Sequence, residues 1–240
     1  MKRFLVFFLS FFLVSTIIGG GDVYAKDYSI ESATIVVQIN PDGSADFAET
    51  RTYDFDGSFS WADEWILLAA KCDGCVDYII TDVSLSEEGK DYMLSSLELP
   101  GNFNVSTSPG KFYTKWRYKA LDERKIFTLK YRVQNAVTNH SDISEFYWRL
   151  IGDEWGKGVD TVSATVILAE EAPDDQIWAF GHGPTNGEIY IPTNKKVEFS
   201  IDGLPSNQFF EARVLFTKME GAIYAPVSYT HLTLPTTPYV

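Results

Sequence analysis

Between residues 26 and 225 apolar and polar side chains alternate at every second position in stretch after stretch, the mark of strands with one face in a core. Ile35, Val37 and Ile39 share a face and run into the turn residues Asn40-Pro41-Asp42-Gly43. Phe47, Tyr53 and Phe55 follow on one parity, with Glu49 and Arg51 between them. Phe112, Thr114, Trp116 and Tyr118 alternate against Lys111, Lys115, Arg117 and Lys119. Ala120-Leu121-Asp122-Glu123 then reads as a turn, and Phe127, Leu129, Tyr131 and Val133 alternate against Lys130 and Arg132. This pattern predicts a hairpin from Lys111 to Arg132. Phe146, Trp148 and Leu150 oppose Glu145, Tyr147 and Arg149. Further alternating runs lie at Val162–Leu168, Val197–Ile201 and Phe210–Phe216.

So many short strands with turn residues between them, and almost no period of 3.6, predict an all-β fold, an antiparallel β-sandwich. The one helical candidate is Ala62 to Ala70, where Trp65, Leu68 and Ala69 would share a face. About 200 residues is large for one sandwich. Two small Ig-like sandwiches in tandem, joined near Asn135 to Asp142, are therefore the alternative to a single one.

The two ends read differently. Lys2 and Arg3 precede an apolar run from Phe4 to Val14, three glycines follow at 19–21, and Val23-Tyr24-Ala25 offers a small-residue exit. This is the pattern of a secretory signal peptide cleaved after Ala25, with an uncleaved N-terminal anchor as the alternative. Residues 226–240 carry no charge but for His231 and have no periodicity. From Pro226 to Thr237 they resemble the translation of a transposase adapter used in sequencing libraries, so the natural chain is expected to continue differently after Ala225.

Composition narrows the function classes. Hydrophobic residues make up 45% and charged ones 22%, which excludes a disordered chain. Twenty Lys and Arg stand against 33 Asp and Glu, a formal net charge of -13, which argues against binding nucleic acid.

The chain is similar to the N-terminal extracytoplasmic domain of the YciQ-like predicted membrane proteins, a family defined by a domain of unknown function. The likeness rests on Ile39-Asn40-Pro41-Asp42-Gly43-Ser44 through Glu49, and on Tyr53-Asp54-Phe55-Asp56-Gly57-Ser58-Phe59. It continues at Phe127–Tyr131, Glu145-Phe146-Tyr147-Trp148, Ile151-Gly152, Trp155, Val162–Val166 and Arg213–Phe216. The resemblance implies an exported domain on the outer side of the cytoplasmic membrane, tethered by transmembrane helices that would follow it. It implies no established activity. Trp61-Ala62-Asp63-Glu64-Trp65 departs from the family pattern, which tends to carry an Arg and an Ile-Pro there; Ala169 and Thr217 replace prolines that usually end strands.

Cys72 and Cys75 are the only cysteines. In an exported chain they read as a local disulfide, with a redox couple or half a metal site as alternatives. Trp148, Trp155 and Trp178, with Glu145, Asp153 and Glu154, could form a sugar platform flanked by carboxylates. Strand parity instead places Trp148 in the core and makes Glu145 and Arg149 a cross-strand ion pair. Lys115, Arg117, Lys119, Lys130 and Arg132 would project from one face of the predicted hairpin. They read as a docking face for an anionic envelope component, or as a solvated face that protects against edge pairing. The Asp-Gly turns match no calcium loop, and no nucleophile elbow, phosphate loop or zinc-protease motif is present. The expectation is therefore an envelope interaction module with no catalysis, no cofactor and no metal. A carbohydrate-binding or glycoside-hydrolysing domain and a purely structural stalk are the rivals. A concave cleft lined by Glu145, Asp153 and Glu154 and by exposed tryptophans would favour the carbohydrate rival, and a flat sheet with buried tryptophans the interaction module.

Overall fold

The computed structural model describes residues 26–72 and 74–226, so the expected leader and all but the first residue of the adapter-like tail lie outside the described residues. Among those described there are fifteen strands and no helix. In chain order they are β1 (Asp27–Ile39), β2 (Ala45–Leu67), β3 (Ile79–Glu87), β4 (Lys90–Asp91), β5 (Met93–Leu94), β6 (Asn102–Ser108), β7 (Lys111–Gln134) and β8 (Val137–Asn139). There follow β9 (Ile143–Ile151), β10 (Val159–Ile167), β11 (Ile177–His182), β12 (Glu188–Thr193), β13 (Lys196–Leu204), β14 (Phe210–Thr217) and β15 (Ile223–Tyr224).

The strands form two sheets, which makes the protein an all-β sandwich. The large sheet runs β12-β13-β10-β1-β2-β7-β3-β4, with β6 paired to β7 and β5 to β6; the small one runs β11-β14-β9-β8-β15. β1 and β10 pair in parallel from Ile30↔Val159 to Gln38↔Ile167, while most other ladders are antiparallel. Segments from both sides of residues 135–142 thus share one sheet, and their buried residues form one core. The tandem arrangement is not what this chain adopts, because β10 completes the sheet that β1 begins. Phe47 of the large sheet packs 4.9 Å from Tyr131 and 4.8 Å from Trp148 of the small one, joining the layers through stacked and tilted rings.

Two local expectations are corrected. Residues 62–67 belong to β2, not to a helix, because Trp61 to Leu67 pair residue by residue with Arg117 to Lys111. Burial there alternates with period two, Glu64, Ile66 and Leu68 being inside. Nor is there a turn at 120–123: β7 is one continuous strand. The turn-like signals Asp54-Phe55-Asp56-Gly57 and Ala120-Leu121-Asp122-Glu123 instead lie opposite each other as irregularities of the β2–β7 ladder. Asp122 takes a left-handed φ of 49° and its carboxylate accepts the N–H of Gly57, itself at φ 94°, over 2.6 Å. Facing bulges bend the ribbon without ending it. They also switch the buried parity of β7 from even numbers before the bend to odd numbers after it.

Candidate functional site

Glu49 and Arg51 occupy the same parity of β2 as Phe47 and Tyr53, so they point into the sandwich, and charged groups there must be paired. The bend in β2 brings Glu64 back over them. Arg51 Nη2 donates to Glu49 Oε2 over 2.6 Å and to Glu64 Oε1 over 2.7 Å, while Nη1 reaches Glu64 Oε2 over 2.9 Å. The hydroxyl of Tyr131 on β7 donates to Glu49 Oε1. All three charged residues are buried, and Arg51 Nε is enclosed with no partner among the described residues. The cluster holds two carboxylates for one guanidinium. Burial, and the charge of Glu49, push the Glu64 carboxyl up to about 8 against the opposing pull of Arg51. Burial alone would ease the proton off Arg51, but Glu64 and Glu49 outweigh it and hold the guanidinium charged. Tyr131 is raised far above the ordinary phenol range by burial and by Glu49.

Glu49 and Glu64 also line a cleft of about 610 Å³. Its large-sheet side is aromatic, with Tyr28, Tyr53, Phe55, Phe59 and Tyr118; Tyr53 and Phe55 are stacked with centroids 5.6 Å apart. A second wall is the far half of β2 with Trp61 and Trp65, each 47% exposed. The loop after β9 closes the opposite side and sets Trp155 over Arg51, 4.7 Å from ring centroid to Cζ. That loop is tied down where Asn207 N–H donates to Trp155 O over 2.8 Å.

The disulfide expected between Cys72 and Cys75 is formed. It lies within the β2–β3 connection, whose start, Ala69 to Lys71, contributes to the cleft. Lys71 Nζ bonds Glu211 Oε1 at 2.7 Å, and the hydroxyl of Tyr78 donates to Tyr147 O over 3.1 Å, so both ends of the loop are fastened to the small sheet.

Of the anticipated platform, Trp148 is buried in the core as parity required, and its edge lines the cleft. Trp155 is in the cleft; Trp178, on β11, is not. Glu145 does not pair with Arg149, since both lie on one strand four residues apart. It bonds Arg213 and, at 2.7 Å, His140. Arg149 instead bonds Glu211 and Asp153, both at 2.9 Å, and Glu154 takes Lys111 at 2.8 Å. Asp153, Glu154 and Arg149 do reach the cleft. The basic residues all lie on β7, strung along one strand and not gathered on two neighbours. Arg117 is paired with Glu98, Arg132 with Asp46, and Lys115 lies over the ring of Trp61 at 4.3 Å. Among the described residues no group of three or more metal-ligating side chains is assembled.

A family model described as "Predicted membrane protein (DUF2207) N-terminal domain" matches residues 29–216. The chain belongs to that family. This places it among predicted membrane proteins whose domain has no known function, although no helix among the described residues is long and apolar enough to cross a membrane. No curated protein matches. Among solved structures the chain is similar to a candidate nutrient binding protein from Legionella pneumophila, at 9% identity and a TM-score of 0.44, over 78% of this chain and 66% of that one. It is also similar to a candidate protease from Parabacteroides distasonis, at 8% identity and a TM-score of 0.43, over 78% and 40%. An M1 zinc metallopeptidase from Deinococcus radiodurans matches at 10% identity and a TM-score of 0.41, over 77% and 42%. The chain spans less than two thirds of each of these structures, and likeness at this level says nothing of activity.

Proposed function

We propose that the chain is the extracytoplasmic ligand-binding module of a membrane-anchored envelope protein, that the aromatic cleft is its site, and that it binds without catalysing a reaction. Membership of a predicted membrane protein family supports association with a membrane. The leader-like first 25 residues and the Cys72–Cys75 disulfide suit the outer side, where disulfides persist.

The observation that carries the reading is the cleft. Its volume of about 610 Å³ lies in the range of roughly 300–1,000 Å³ that holds a small ligand, and its lining combines twelve aromatic side chains with eight charged ones. With Asp153, Glu154 and the exposed Trp61 and Trp65 in its lining, the cleft largely meets the condition set for the carbohydrate rival, so a carbohydrate is a second candidate ligand of the same site. Hydrolysis is less well supported than binding. A two-carboxylate mechanism needs acids facing each other across a bond, roughly 5–9 Å apart. Asp153 and Glu154 are adjacent on one loop, and each is occupied by a cation of this chain. Glu145, the third acid of that rival, is committed to Arg213 and His140. A purely structural stalk would have no need of an open pocket. An anionic partner docked on β7 finds weaker support, because its basic groups are spread along one strand and two of them are neutralised.

The test is calorimetric titration of the purified protein with fractionated cell-envelope fragments, alongside a variant carrying W65A and W155A. Binding that the double variant loses supports the reading. Equal binding by both proteins, or fragments recovered cleaved, overturns it.

A further inference from the structure

The cleft has a charge preference of its own. Two buried carboxylates share one guanidinium at its floor, so with both ionised the cluster carries one uncompensated negative charge. A buried excess charge requires either a proton or a counter-cation. Glu49 and Glu64 are only 3% and 6% exposed, so a bulky ring cannot cover them; a slender group can touch them. Tyr53, 4% exposed, lines the same cleft.

The walls point the same way. Five lining rings already hold ammonium groups of this chain: Lys26 over Phe59, Lys71 over Tyr147, Lys111 over Trp65, Lys115 over Trp61 and Lys157 over Tyr28, at 4.3–5.5 Å from nitrogen to centroid. Ring faces attract cations through their quadrupole. An anionic head would meet carboxylates at the floor, and a neutral one would leave the proton on Glu64 in place.

We infer that the cleft recognises a ligand bearing a lysine-type primary ammonium, whose alkyl stem passes between the aromatic walls and whose nitrogen seats against Glu49 and Glu64. This rests on the cleft being a ligand site. The groups that bear on Glu64 are Glu49, Arg51 and Tyr53 on β2 and Tyr131 on β7. Asp63, Asp153, Glu154, Lys26, Lys71 and Arg149 line the rest of the cleft, the three acids bonded to Tyr113, Arg149 and Lys111. Because burial favours a proton on Glu64, the arriving ammonium displaces that proton. Binding therefore tightens as pH rises towards about 8 and levels beyond it, while the lysine, with an ordinary pKa of about 10.4, stays charged.

The experiment titrates the whole protein with acetyl-Ala-Lys-Ala-amide and with its isosteric neutral twin, acetyl-Ala-norleucine-Ala-amide, from pH 6 to pH 9. Two buffers of different ionisation enthalpy count the protons released. The lysine peptide is expected to bind at least tenfold tighter than its twin, more tightly at pH 8 than at pH 6, with net proton release at pH 7. E64Q is expected to keep the fold by circular dichroism and to lose most of the discrimination and the proton release. Equal binding of the twins, discrimination unchanged in E64Q, or the absence of proton release in the native protein overturns the inference. If envelope fragments or neutral oligosaccharides bind through Trp65 and Trp155 while the lysine peptide does not, the ammonium inference fails and the ligand cleft stands. If nothing binds, both fail.

Discussion

Trp155 lies over Arg51 with its ring centroid 4.7 Å from the guanidinium carbon, so the loop after β9 is fastened to a charge buried in the large sheet. Cation–π contacts with partly desolvated guanidinium groups contribute about 0.5–2 kcal/mol, and the half-buried indole adds its own apolar area. W155A is expected to cost about 1–3 kcal/mol in urea denaturation, and W155F distinctly less. A W155A protein as stable as the native one would show that the loop is held elsewhere.

Glu64 gives stability an unusual dependence on pH. Its folded-state carboxyl is raised to about 8 from an ordinary 4.5, so the folded protein holds a proton that the unfolded chain releases more readily. The contribution is complete below about pH 4.5 and is lost as pH rises through about 8. Denaturation midpoints should fall between pH 5 and pH 8.5, by roughly 1–3 kcal/mol of stability. E64Q, which cannot titrate, should flatten that slope. Glu211 and Glu87 are shifted the other way by their bonds to lysines and neighbours, and they act only in acid. A native profile flat across this range would mean that Glu64 stays ionised.

The Cys72–Cys75 disulfide spans a separation of three residues. A loop that short removes little unfolded-state entropy, about 2 kcal/mol at most in the chain-entropy account. C72S/C75S should therefore stay folded, with hydrogen-exchange protection lost mainly within residues 68–78, where Tyr78 N–H bonds Leu68 O over 2.8 Å. Protection lost across both sheets would contradict this.

Gly221 packs against the Asn40–Ser44 turn so tightly that a Cβ there would run into the carbonyl of Pro41 and lie 2.7 Å from Asp42 Cα. G221A is expected to cost about 1–3 kcal/mol by overpacking. G89A tests a different cause: nothing lies near a Cβ at Gly89, but its φ of 83° strains an alanine, so a cost nearer 1 kcal/mol is expected. Thermal denaturation of the two variants separates steric from backbone effects.

The strands and most of the core were legible because period-two alternation is local: Val37, Trp148 and Val214 are all buried on the parity the sequence assigns them. The bend was not, because Asp54–Gly57 and Ala120–Glu123 look like turns until each is seen to lie opposite the other. The Ala62–Ala70 segment read as helical because the spacing of Trp65, Leu68 and Ala69 suits a helix, and only the pairing of Ala62 to Leu67 with β7 shows it to be strand. Arg51 and Glu49 carried a signal that went unused: two opposite charges on the apolar parity of one strand must meet a partner inside. Their partner, Glu64, lies beyond the bend and could not be read without it. The single sheet spanning both halves escaped for a similar reason, since parallel pairing of β1 with β10 leaves no trace in either strand alone.

That central placement of β1 bears on how the molecule is made. A strand finished by Ile39 has one neighbour at once in β2, but its other edge stays bare until Ile167 has been synthesised. A nascent chain therefore carries an open, aggregation-prone margin while residues 40–167, about half its length, are made. Assembly waits on a long-range closure, which puts its timescale in milliseconds to seconds and gives a holding chaperone its opportunity.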